Sequence, residues 1–183
     1  MNIKASLLLT ILAIIGHIVS VRAQSAPTIN STASAQLIEA ITLSETTSLN
    51  FGTTVLKSTA GGTVVLSSNS NTRNYTGGLA GGGPENQNAT NATFEVSGAS
   101  LATYAVTLPA VITLTHTSID SGINTMNVTS MKARFNDASS DSVTSTISSE
   151  GTDSFSLGAT LTLQENQIFG QYSGQYEVTV NYN

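Results

Sequence analysis

The segment from Gly170 to Asn183, G-Q-Y-S-G-Q-Y-E-V-T-V-N-Y-N, alternates without a break. Tyr172, Gly174, Tyr176, Val178, Val180 and Tyr182 share one parity; Gln171, Ser173, Gln175, Glu177, Thr179 and Asn181 share the other. A helix would repeat every 3.6 residues, whereas strand side chains alternate between faces, so this run predicts a strand with one apolar and one wet face. Tyr172, Tyr176, Val178, Val180 and Tyr182 are therefore expected to pack in a core as the terminal strand. The three tyrosines also suit an aromatic sugar platform, but the parity they share with Val178 and Val180 favours packing with the hydroxyls near solvent.

The same period recurs upstream. Ala35, Leu37, Ile41 and Leu43 share a face, interrupted by Glu39, and Leu49 and Phe51 lead into Gly52. Gly61-Gly62 reads as a turn before the short strand Thr63–Leu66. Residues 67–91, with their Ser/Asn repeats and the glycine cluster ending at Pro84, read as a long loop. Phe94 and Val96, then Tyr104, Val106 and Leu108 up to Pro109, then Ile112, Leu114 and His116, resume the alternation. Met126 and Val128, followed by Met131, Ala133 and Phe135, predict a strand pair or one bulged strand. Asp137 to Thr152 reads as loop, and Phe155, Leu157, Ala159, Leu161 and Leu163 as another strand. No stretch keeps a 3.6-residue apolar spacing over three turns, so eight to ten short strands predict an all-β antiparallel β-sandwich.

Residues 1–23 have the pattern of a secretory signal peptide: Lys4, the apolar stretch Ser6–Val21, and small residues in Val21-Arg22-Ala23. The apolar stretch is shorter than the ~20 residues that span a bilayer, so cleavage before Gln24 is expected, with no membrane span afterwards. Removing 23 of 183 residues leaves 160, enough for one domain. Residues 24–34 read as a flexible arm and residues 35–183 as a single β-sandwich domain. Without Lys4 and Arg22 the chain holds four basic against eleven acidic side chains, a net charge of −7. No basic stripe exists to hold nucleic acid phosphates. The expected location is secreted, periplasmic or at the cell surface.

The side chains argue against catalysis. There is no cysteine, which excludes thiol chemistry and cysteine-held metals. His116, the one histidine outside the leader, lies on the apolar parity of Ile112 and Leu114, and no G-x-S-x-G elbow accompanies it; Gly98-Ala99-Ser100-Leu101-Ala102 lacks the last glycine. The glycine cluster at 77–83 lacks the Gly-Lys-Ser/Thr of a phosphate loop. Asn136, Asp137 and Asp141 offer oxygens to calcium, but not at EF-hand spacing. Lys57 and Lys132 are the only mature lysines; a Lys–Asn cross-link would need a buried carboxylate, for which Glu39 and Glu95 are candidates, but both read as ordinary wet-face residues. Five N-x-Ser/Thr triplets, at Asn30, Asn74, Asn88, Asn91 and Asn127, are expected by chance in so Asn- and Thr-rich a chain. No enzyme, cofactor or metal site is expected.

The order of landmarks carries a resemblance. Leu49-x-Phe51-Gly52-Thr53, Gly61-Gly62-Thr63-Val64-Val65, Thr76-Gly77-Gly78, Phe94-x-Val96-x-Gly98, Tyr104-x-Val106-x-Leu108-Pro109, Leu157-Gly158-Ala159-Thr160-Leu161 and the closing alternation follow one another. Together they resemble domain of unknown function family 4402, bacterial secreted proteins, across nearly all of residues 35–183. The closing Gly174, Tyr176, Val178, Val180 and Tyr182 are also similar to secreted pilin subunits of the spore coat protein U type. That resemblance implies an immunoglobulin-like or pilin-like sandwich whose subunits exchange an N-terminal strand. Those subunits commonly carry a disulfide, which this chain cannot form.

Two functions follow as expectations. The first is a non-enzymatic structural or attachment protein, of fimbrial type, that self-associates or meets a chaperone by strand addition. Its assembly strand would present Ile29, Ala33, Ala35 and Leu37, which share odd parity. The second is a monomeric extracellular module that binds polysaccharide.

Overall fold

The computed structural model describes residues 25–56, 60–82, 88–136 and 138–183. The expected leader, Gln24, Lys57 and Asp137 lie outside the described residues. The chain divides after Gln36 into two units. In the first, residues 25–36 carry no regular secondary structure and all are exposed. The second, Leu37–Asn183, is all-β and every strand pair in it is antiparallel.

Its strands are β1 (Thr42–Thr47), β2 (Thr54–Leu56), β3 (Gly62–Leu66), β4 (Arg73–Tyr75), β5 (Leu79–Gly81), β6 (Ala92–Ser97), β7 (Thr103–Thr107), β8 (Val111–His116), β9 (Thr125–Phe135), β10 (Thr144–Thr146), β11 (Thr152–Leu163), β12 (Tyr172–Ser173) and β13 (Thr179–Tyr182). Eight form one curled sheet in the order β1-β6-β11-β9-β8-β12, with β3 also on β11 and β4 on β3. A three-stranded sheet, β10-β7-β13, and the pair β2-β5 complete the fold.

β11 organises the large sheet. One of its edges pairs with β9, while the other pairs with β6 along Thr152–Leu157 and with β3 along Ala159–Leu163. Asp153, Phe155, Leu157, Ala159, Leu161 and Leu163 all point inward and are buried. β9 cannot keep one parity beside it. Met126 and Val128 face the core before Ser130, and Ala133 and Phe135 after Met131. The register shifts between Gly158 and Thr160 of β11, and Ser130 has a φ of 53°. A bulge adds one residue to one strand and so reverses which parity faces inward. The expected pair or bulged strand is thus a single bulged strand.

The interior has two apolar clusters. Phe94, Val96, Tyr104, Val106, Phe135, Ile147, Phe155 and Leu157 join the large and three-stranded sheets in one. Phe94 stacks on Phe155 at 5.1 Å, and Tyr104 meets Phe135 edge-on at 5.9 Å. Phe51, Val64, Leu66, Leu79, Ile112, Val128 and Leu161 form the other.

Three local expectations change. The terminal alternation is divided between two sheets: β12 pairs with β8 and β13 with β7. Gly174 packs against the Thr113 carbonyl with no room for a Cβ, and there the chain leaves the β8 ladder. Residues 67–91, read as loop, contain β4 and β5. Arg73 anchors this region by donating to the carbonyls of Phe51 (2.7 Å) and Thr53 (2.9 Å), partners some twenty residues away. Finally, the first strand begins at Thr42 rather than Ala35, and Leu37 is 99% exposed.

Candidate functional site

The facing edges of β1 and β13 are the most distinctive surface. Asn183 N–H donates to Thr103 C=O, and β13 registers Asn181 with Ala105 and Thr179 with Thr107. Antiparallel ladders alternate, so Val180 and Tyr182 turn their backbone groups away from β7. On β6, Gly98 N–H bonds Gly151, so Ser97 and Glu95 bond Thr42 and Ser44 of β1. The backbone groups of Leu43 and Glu45 therefore point outward. β1 and β13 approach within 8 Å at their Cα atoms without pairing. Ile41, Leu43, Tyr176, Val178, Val180 and Tyr182, which border this seam, are half-buried against the core, whereas the core residues of the central strands are buried.

The seam is latched at one end. Tyr182 Oη accepts from Ala99 N–H at 2.7 Å and donates to Glu39 C=O at 2.9 Å. A Cβ at Gly98 would meet that hydroxyl and displace the tip of the Tyr182 side chain. At the other end the Tyr176 hydroxyl is buried without a hydrogen-bond partner among the described residues. Burial, with the nearby Glu45 carboxylate, pushes its pKa up to about 12.

Behind the seam, Asp153 bridges the two sheets. Its carboxylate accepts from Tyr104 (2.9 Å), Ser145 (2.6 Å), Asn136 and its neighbour Ser154 N–H (2.8 Å). Burial first, and then the adjacent carboxylate, raises the Tyr104 pKa well above that of an ordinary tyrosine. Among the described residues no basic side chain pairs with Asp153.

On the outer face, Asp141 accepts from Arg134 Nε (3.0 Å), Arg134 Nη2 (2.7 Å) and Ser68 Oγ (2.6 Å), with Lys132 Nζ at 3.7 Å. This clamp holds residues 67–68 across β11 at Gly158, where the crossing backbone leaves no space for a Cβ. Two open grooves of about 420 and 430 Å³ flank Arg134, lined by Ser, Thr and Asn side chains. The rings bordering the second groove, Phe94 and Phe155, belong to the buried aromatic stack.

His116 is held as a strand-end residue. Its Nδ1 accepts from Ser118 and Ile119 N–H, both at 3.0 Å, so Nε2 carries the proton and donates to Phe169 C=O at 3.0 Å. Both nitrogens are thus engaged by backbone groups. Asp141 is engaged by the clamp, and no group of three or more metal-ligating side chains occurs among the described residues. Lys132 faces Asp141 rather than an asparagine carbonyl carbon, and Glu39 and Glu95 are exposed. Among the described residues no helix is long and apolar enough to cross a membrane.

Ile29, Ala33, Ala35 and Leu37 lie outside any strand and are exposed. Tyr172, Tyr176, Val178, Val180 and Tyr182 are half-buried, and Tyr172 donates to Ile168 C=O at 2.7 Å. Sequence reasoning missed Asp153, Tyr104 and Ser145 as a unit. The available signal was a carboxylate on the inward parity of Phe155 and Leu157.

No curated protein and no solved structure matches the chain. The family profile described as "Domain of unknown function (DUF4402)" matches residues 41–182. That span contains β1 to β13, the seam, the Asp153 bridge and the Arg134–Asp141 clamp, and over it the chain belongs to the DUF4402 family.

Proposed function

We propose that this protein is a non-enzymatic, exported structural subunit of the cell surface that assembles by lending its N-terminal arm to the sheet of a neighbouring copy. The observation that carries this reading is the exposed arm itself. Ile29 is 89% exposed, and Ala33, Ala35 and Leu37 continue its odd parity with no strand partner. Strand addition draws affinity from main-chain hydrogen bonds and specificity from alternate side chains, and such an arm supplies both. The leader pattern at residues 1–23 supports export, and the similarity of the closing strand to spore coat protein U type pilin subunits supports a fimbrial-type assembly. A periplasmic chaperone that caps the accepting edge fits the same scheme.

Analytical ultracentrifugation of the chain from Gln24, with and without residues 24–34, tests this reading. Concentration-dependent association that disappears with the arm, while the β signal in circular dichroism persists, is expected. A full-length arm that leaves the protein monomeric at all concentrations, even after refolding without a chaperone, would overturn it. The two hydroxyl-rich grooves beside Arg134 support a second reading, a monomeric polysaccharide-binding module. Monomeric protein retained on a polysaccharide affinity gel would favour that one.

A further inference from the structure

Resting on the assembly reading above, we infer that the accepting site is the seam between β1 and β13, and that its occupant is the arm of a second copy. An incoming strand needs unpaired backbone groups and an apolar gap to fill. The seam offers Leu43 and Glu45 on one side and Val180 and Tyr182 on the other, all with outward-turned amides and carbonyls. Its bordering side chains are the half-buried rim of the core. Small residues such as Ala33 and Ala35 suit a narrow gap. A strand between two others needs roughly two spacings of ~4.8 Å, so the edges must part slightly from their present approach within 8 Å. The Tyr182–Glu39 hydrogen bond is the contact that resists this.

The arm is poorly suited to fill its own seam. It runs directly into β1, so lying beside β1 in the same molecule requires a hairpin within Ser34–Ile41 (S-A-Q-L-I-E-A-I). That stretch holds none of the Gly, Asn, Asp or Pro residues that tight hairpins use. Residues 25–38, extended at ~3.3 Å each, reach roughly 46 Å. That is ample for the seam of another copy.

The absence of native cysteine makes the test direct. Ile29→Cys, Ala33→Cys and Leu37→Cys chains are each mixed with a Val178→Cys chain, or with a Val143→Cys chain that marks the β10 edge, and oxidised. Gln36→Cys with Thr179→Cys repeats the test on the outward parity in case Val178→Cys does not fold. A disulfide closes only when Cβ atoms lie ~3.5–4.5 Å apart, so at least one donor should join the seam position in roughly tenfold excess over β10. Equal or greater joining at Val143 would overturn the seam while leaving arm-mediated assembly intact. No joining at either edge, in protein that also sediments as a monomer, would overturn both.

Discussion

Replacing Asp153 by alanine should weaken the joint between the two sheets more than any other single polar change. The carboxylate is 6% exposed and accepts hydrogen bonds from four donors. Asn136 is exposed and Ser145 half-buried, so both can turn to water when the acceptor is removed. Tyr104 is fully buried, and its hydroxyl would be stranded. An orphaned buried donor costs ~1–3 kcal/mol, and the lost charge-assisted bonds add to that. Relief of an unpaired buried charge offsets part of the loss. The net expectation is about 2–4 kcal/mol for Asp153→Ala and about 1–2 kcal/mol for Tyr104→Phe. Both changes break the same bond, so the double variant should fall short of the sum by about 1–2 kcal/mol. Urea unfolding followed by circular dichroism measures all three. An additive cycle, or Asp153→Ala as stable as the parent, would refute the reasoning.

Other expectations follow from the same structure. Tyr176 has a folded pKa raised from 10.0 to about 12, so its contribution to stability is complete below pH 10 and is lost as pH rises towards 12. Tyr176→Phe should flatten that alkaline limb in pH-dependent thermal melts. Asp141 is held below its usual 3.8: burial works against this, but Ser68, Arg134 and Lys132 outweigh it. Its contribution is therefore present above pH 3.8 and lost as pH falls below, and Asp141→Asn should remove that acid-limb component in the same melts. Val178→Asp should cost about 1–3 kcal/mol because Val178 is half-buried, whereas Glu177→Lys, on the exposed parity, should cost under about 0.5 kcal/mol in urea titrations.

Parity made the inward faces legible because it reports which side chains share a face, whatever ladder the strand joins. Tyr172 of β12 and Val180 and Tyr182 of β13 are therefore all half-buried against apolar clusters, even though the two strands belong to different sheets. The ladder partners are set by contacts distant in sequence, which periodicity does not encode. Arg73 reaching back to Phe51 and Thr53 turned an apparent loop into β4 and β5. The bulge at Ser130 was half legible, since the apolar parity of β9 changes from Met126 and Val128 to Ala133 and Phe135. Asp153 stood on an inward parity, but its meaning required Tyr104 and Ser145, brought from 49 and 8 residues away. The seam was invisible for the same reason. An unpaired edge is a property of the sheet order, and no residue type announces it.

Amide hydrogen exchange on the assembled protein, compared with monomer lacking residues 24–34, tests the central claim most directly. Slowed exchange confined to residues 25–37 of the arm and to Leu43, Glu45, Val180 and Tyr182 is predicted, because those amides gain partners only when an arm enters the seam. An arm that exchanges as freely in the assembly as in isolation would contradict the account.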